Sequence, residues 1–297
     1  MTQAAPTTGI AEPAGQVLAE ASPVAAFAAG APFLVRLRES SAGRPGCVAL
    51  GYLAALSAAE LLTALVEPHA GLALHALVLL ALSLHTALAW GRPISRLLLA
   101  LTIAPLIRLL SLSLPMPIAP DPMVGWYLLV SVPLFAVAWA VMRTLGLRPA
   151  EVGLSLRRPL AQLAVASTGL ALGYVEYQIL GPAPLVPALT WRNLWLPGLI
   201  LLFSTGFSEE LIFRGVMQRT ASESLGRWGP VYVAALFAVL HVGYRSVPDV
   251  AFVFVVALFF GWVTARSRSI VGVSLAHGLT NIVLFLVAPF LPIPGMG

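Results

Sequence analysis

The sequence has no lysine, and only 10% of its 297 residues are charged. Soluble globular domains carry about 25% charged residues. A water-soluble domain of this length is therefore excluded, and so is a disordered chain, which needs high charge and little hydrophobicity. Cysteine occurs once, at Cys47, which excludes a disulfide scaffold and a thiolate metal cage. Residues 1–23 contain no arginine, so the chain lacks the basic start of a secretory signal. The Ala, Pro, Thr and Glu of that stretch predict a disordered tail. What fills the rest is apolar: 59% of residues are hydrophobic, and the mean hydropathy is +0.92. All 17 cationic side chains are arginines. They are scattered, so the basic pI does not point to nucleic acid; in a membrane protein, scattered arginine sets topology. The Ala/Leu/Gly/Pro/Arg bias points to a GC-rich bacterial genome, and so to a bacterial cytoplasmic membrane.

A transmembrane helix needs about 20 apolar residues. Val24 to Val35 is too short and predicts an amphipathic surface segment. From Cys47 onward the candidate spans are 47–66, 71–90, 97–114, 126–145, 160–180, 195–217, 229–245, 249–265 and 270–291, separated by Gly91-Arg92-Pro93, Leu114-Pro115-Met116-Pro117, Gly181-Pro182 and similar breaks. Lipid cannot hydrogen-bond an open backbone, so these runs are helices. The expected fold is an all-α polytopic membrane helix bundle of eight to nine transmembrane helices. With the N-terminus cytoplasmic, the inner side holds Arg36, Arg38, Arg44, Arg92, Arg96, Arg143, Arg148, Arg157, Arg158, Arg214, Arg219, Arg227, Arg266 and Arg268; the outer side holds Arg108, Arg192 and Arg245. That asymmetry follows the positive-inside rule.

Charge inside a bilayer is costly, and each instance is a functional candidate by default. Glu60, His75, His85, Arg108 and Glu176 are isolated on their own helices and read as interhelical hydrogen-bonding or snorkelling groups. The later spans differ. The sixth contains Ser208-Glu209-Glu210-Leu211-Ile212-Phe213-Arg214. Glu210 and Arg214 are four apart with the acid first, the favourable order for an ion pair on one helix face. Glu209 points about 100° away and has no local cation, as suits a general base. The seventh span contains Phe237 and His241, the ninth His277 and Asn281, each pair on one helix face. At about 1.5 Å per residue from the flanking arginines, Glu209, His241, His277 and Asn281 lie roughly 14–21 Å deep. One shared site is geometrically possible.

A carboxylate, two imidazoles and a carboxamide suit amide hydrolysis. The carboxylate takes a proton from water and a neutral histidine holds that water. Another histidine and the asparagine donate to the carbonyl oxygen as it becomes an oxyanion. Arg214 can orient the acid pair or hold a substrate carboxylate.

Glu209-Glu210-x-x-x-Arg214, Phe237-x-x-x-His241 and His277-x-x-x-Asn281 resemble, in order, the three motifs of the CAAX protease and bacteriocin-processing family. That family includes the type II CAAX prenyl endopeptidases and abortive-infection proteins. The resemblance implies an intramembrane glutamic endopeptidase that needs no cofactor and acts on a membrane-associated peptide or protein. It implies Glu209 as the base, His241 sharing the water, and His277 with Asn281 as the oxyanion site. Glu210, Arg214 and Phe237 become supporting or substrate-binding residues. Leu145 to Leu154 resembles a linker that such proteins carry before the core. The chain then reads as a tail (1–46), N-terminal spans of unassigned role (47–158) and a core of that family's type (159–297).

Three rivals remain. A zinc hydrolase would use Glu209 or Glu210, His241 and His277 as ligands, although no His-Glu-x-x-His helix is present. A serine protease would use Ser208 with His241 as base, but two acids follow Ser208 where a small residue is expected. A membrane scaffold or immunity-type protein would keep the motif residues for packing.

Overall fold

The structure, a computed structural model, describes Met1 and residues 44–114 and 122–291. The segment Val24–Val35, most of the expected tail and the Pro115–Pro117 break lie outside the described residues. The chain divides into two units between Ser40 and Ser41, and the helices named below belong to the second, Ser41–Gly297. Among the described residues the regular structure is entirely helical.

Eight helical stretches are long and apolar enough to cross a bilayer. The first five are α1 (Pro45–Val66), α2 (Pro68–Leu88), α3 (Pro93–Ser113), α4 (Gly125–Thr144) and α5 (Pro159–Leu180). The sixth, Trp191–Tyr244, is 54 residues long and reverses direction at Gly226, where φ is 58°. Glycine is the residue that takes positive φ without strain. Past the turn, Gly229 lies against Ser222; a Cβ at Gly229 would stand 2.6 Å from the Ser222 amide nitrogen. Further on, the Phe237 ring meets Phe213 edge-on at 4.7 Å. Residue numbers thus fall on one limb as they rise on the other, so the limbs are antiparallel. We label them α6 (residues 191–225) and α7 (Gly229–Val239); α8 (Val247–Ser267) and α9 (Val271–Phe290) complete the bundle. Each of the nine expected runs contains helix, but the sixth and seventh lie in one 54-residue stretch, and the regular helix of the seventh stops at Val239, so His241 sits in the turn beyond it.

Several helices start earlier than the apolar runs suggest. Pro45, Pro68, Pro93 and Pro159 each open a helix. Proline has no N–H to lose there and its φ already suits the first turn. Glu67 also anchors the start of α2, where its carboxylate accepts the backbone N–H groups of His69 and Ala70.

In lipid, helices gain little from hydrophobic contact with each other, so small residues that permit close backbone approach decide the packing. Gly206 of α6 is such a point. A Cβ there would stand 2.6 Å from the Ser274 carbonyl and 2.7 Å from the Gly278 nitrogen of α9. On its other side α9 meets α5 at Gly169 and Gly173, which abut Ala276 and Thr280. This sandwich brings the acid pair of α6 level with His277. Large apolar side chains left exposed, such as Leu77, Leu80, Leu84 and Val255, form the outer surface that suits acyl chains.

Candidate active site

The sixth helix is irregular where the acids sit. Leu202–Phe207 and Leu211–Met217 are π-helical, with Ser208–Glu210 between them. π turns are rare and concentrate at functional sites. The two adjacent glutamates have different surroundings. Glu210 is fully buried; its Oε1 accepts from Arg214 Nη1 at 2.9 Å and from His277 Nδ1 at 2.9 Å. The Arg214 guanidinium also lies over the Phe237 ring, 4.6 Å from its centroid, and 5.8 Å from that of Phe260. The Glu209 side chain is 32% exposed, and its recorded ionic neighbour is His277 Nε2 at 3.9 Å. Glu209 borders two cavities, whereas Glu210 is fully enclosed.

His241 follows the end of α7, and its Nδ1 is 2.9 Å from the Phe237 carbonyl oxygen. A carbonyl only accepts, so Nδ1 carries a proton, and in the neutral ring Nε2 is an acceptor. For His277 the same reasoning puts a proton on the Nδ1 that faces the Glu210 carboxylate. Asn281 Nδ2 donates to Thr205 Oγ1 at 2.8 Å. The Thr205 hydroxyl itself donates to the Leu201 carbonyl, so towards Asn281 it can only accept. That fixes which end of the carboxamide faces Thr205; among the described residues the second N–H has no hydrogen-bond acceptor.

One cavity of about 100 Å³ is lined by Glu209, Arg214, Phe237, His241, His277 and Asn281. Six of the seven residues singled out from sequence therefore share a wall. The seventh, Glu210, stands behind His277 and Arg214. An adjoining cavity of about 330 Å³ shares Glu209, Phe237 and His241 and extends to Ile107, Arg108, Trp126 and Leu134. Ser208 is buried and makes no hydrogen bond to His241 among the described residues. Among the described residues no group of three His, Cys, Asp or Glu side chains is placed to hold a metal ion.

Sequence reasoning missed several members. Thr205 precedes Glu209 by four residues and so shares its helix face, a signal that was present. Glu176, read as structural, lines the small cavity together with Tyr127 and Tyr244. Arg108, placed on the outer side by the arginine count, is partly buried and partnered across helices. Its Nη2 lies 2.7 Å from Glu60 Oε2 and its Nε donates to Glu60 Oε1 at 3.0 Å. Nη2 also donates to the Leu240 carbonyl at 2.8 Å. His75 Nε2 is 3.4 Å from Glu60 Oε1, and His85 pairs with the Tyr52 hydroxyl at 3.0 Å. These groups are isolated on their own helices and partnered across helices. The last carbonyls of any helix lack intrahelical donors; at the partly buried end of α7, Arg108 supplies one beside His241.

A multi-pass helical bundle with acid, imidazole and amide groups around one interior cavity defines a membrane-embedded protein of hydrolase type. Residues 191–283, about a third of the chain, match the family model described as type II CAAX prenyl endopeptidase Rce1-like. This is a membrane protease family, the one the three motifs resemble, and the matched segment contains all three. No curated protein and no solved structure matches the chain.

Proposed function

We propose that the chain is an intramembrane endopeptidase that cleaves a membrane-associated peptide or protein with water activated by Glu209. The observation that carries this is the asymmetry of the acid pair. Glu210 is neutralised by Arg214 and His277, while Glu209 meets the cavity without a hydrogen-bonded partner among the described residues. A base must be free to take a proton and must reach the water it deprotonates.

In this reading a water lies between Glu209 and the Nε2 acceptor of His241. Glu209 removes one proton as the oxygen attacks the scissile carbonyl. The oxyanion receives hydrogen bonds from the second N–H of Asn281 and from Nε2–H of His277, which is doubly protonated in this reading, its Nδ1–H on Glu210 and its positive charge offset by the adjacent acids. Collapse of the tetrahedral intermediate breaks the C–N bond, and Glu209 returns its proton to the departing amine. Glu210 and Arg214 hold His277 in place and remain unreacted. The larger cavity offers apolar and aromatic walls for the substrate side chains. The cleaved substrate is expected at the bacterial cytoplasmic membrane; the prenyl specificity in the family's name is not carried over.

The test compares membranes from cells with the wild-type chain and with Glu209→Gln by proteomics of peptide termini. Termini present only with the wild-type chain support the proposal. Identical termini in both would favour a scaffold role. Activity that disappears on chelation and returns with zinc would favour the zinc hydrolase.

A further inference from the structure

Four arginines stand together at one end of the bundle. Arg157 and Arg158 lead into α5, and Arg266 and Arg268 end α8. All four are exposed, and with Ser267 they line one concavity of about 510 Å³. Among the described residues none of the four is ion-paired; the arginine–glutamate pairs are made by Arg96, Arg108, Arg214 and Arg219. Arg266 instead lies over the Trp262 ring, 5.5 Å from its centroid.

A solvated run of charge needs no fixed backbone. Here the two arginine-bearing segments, more than a hundred residues apart, are tied to each other. Ser155 Oγ donates to the Arg268 carbonyl at 3.1 Å, Ser269 Oγ donates to the Ser155 carbonyl at 2.6 Å, and the Ile270 N–H donates to the Gly153 carbonyl at 2.9 Å. Gln162, 3% exposed, donates to the Arg157 carbonyl at 3.1 Å and accepts from the Gly272 N–H at 2.7 Å. Arg158 and Arg268 both hold left-handed φ, 52° and 53°, a conformation unfavourable for side chains with a Cβ. Four like charges are thus held close on a fixed backbone, and among the described residues none has an ion-paired carboxylate.

The level in the membrane points to what offsets them. Leu156 and Leu160 are 76% and 81% exposed, and Trp262 is 56% exposed. Tryptophan settles where acyl chains meet headgroups, which sets the guanidinium stacked on Trp262 at phosphate depth. Arginine grips phosphate by paired N–H donors, and basic pockets between membrane helices hold anionic headgroups. We propose that Arg157, Arg158, Arg266 and Arg268 form a binding site for the phosphate of an anionic phospholipid, with its acyl chains along Leu156 and Leu160. The site is separate from the proposed peptidase chemistry.

The test uses purified full-length protein in neutral detergent with phosphatidylglycerol, phosphatidylcholine or inorganic phosphate. Retained lipid is counted by native mass spectrometry, and thermal unfolding is followed in parallel. The wild-type chain should retain phosphatidylglycerol and be stabilised by it, and should do neither with phosphatidylcholine. One arginine near an anionic surface contributes about fivefold in affinity, so Arg157→Gln/Arg268→Gln should bind about 25-fold more weakly. Arg143→Gln/Arg227→Gln, which removes the same charge elsewhere, should bind as wild type. Arg157→Lys/Arg268→Lys keeps the charge and the topology signal but loses the paired donors, and should bind severalfold more weakly. Equal binding of both lipids, an equal loss in the Arg143/Arg227 control, or unchanged binding in both Arg157/Arg268 variants would overturn the proposal. Inorganic phosphate stabilising as well as phosphatidylglycerol at equal concentration would overturn the lipid assignment.

Discussion

Replacing either glutamate of the pair by glutamine removes one charge, yet the two changes should differ sharply in stability. The Glu210 carboxylate is fully buried and its Oε1 serves both Arg214 and His277. The Arg214 side chain is 1% exposed. Glu210→Gln strands that guanidinium, and removing one partner of a buried ion pair costs about 3–5 kcal/mol. At about 2–4 °C per kcal/mol for a chain of this size, the midpoint should fall by roughly 6–20 °C. Among the described residues Glu209 makes no side-chain hydrogen bond, and its side chain is 32% exposed. Glu209→Gln should therefore stay within about 0.5 kcal/mol of wild type. The double variant Glu210→Gln/Arg214→Met removes the stranded charge, and apolar replacement of a buried pair is often neutral. It should recover most of the lost midpoint. Scanning fluorimetry of the purified proteins, using the intrinsic tryptophans, measures all three. If Glu209→Gln costs as much as Glu210→Gln, or if the double variant is no better than Glu210→Gln alone, the stranded-charge argument fails.

The same geometry sets other outcomes. Asn281→Ala should lower kcat by about 10²–10³ with little change in KM, because an oxyanion donor acts in the transition state. Thr205→Val, which leaves Asn281 in place without its orienting acceptor, should lower kcat by about tenfold; an unchanged rate would show that Asn281 needs no such support. Arg108→Gln releases the Leu240 carbonyl beside His241 and should lower kcat by about 10²-fold at near-constant KM. Glu60→Gln should behave alike, and wild-type rates in both would deny the coupling. A reporter fused after Arg268 should read cytoplasmic and one fused after Gly297 extracytoplasmic; the same side for both would remove the last span.

The helices were legible in the sequence because lipid imposes length and apolarity on each one separately. Their starts were not, since Pro68 and Pro93 look like breaks and prove to be first-turn residues. The Glu210–Arg214 pair was legible because both residues lie on one helix at a fixed spacing. The bond from His277 to Glu210 spans 67 residues, and the one from Arg108 to the Leu240 carbonyl spans 132. No local period encodes such distances; they depend on which helix lies against which. For the same reason Glu60, His75 and Arg108, solitary along the chain, could not be read as one cluster. Thr205 is the instructive miss, because its spacing from Glu209 was visible and a threonine in an apolar helix passes easily as packing.

The bond between Arg108 and the Leu240 carbonyl sets the limits of what can be transplanted. Residues 191–283 hold every motif side chain and the whole family match, yet the carbonyl next to His241 is closed by a guanidinium from α3, itself neutralised by Glu60 of α1. The matched segment is therefore not a portable cassette. A chimera that joined it to other leading helices would inherit an unsatisfied carbonyl at the partly buried end of α7, one residue from His241. During synthesis the order is equally fixed: α1 and α3 leave the ribosome first, and the late-arriving α7 docks onto a receptor that is already in place.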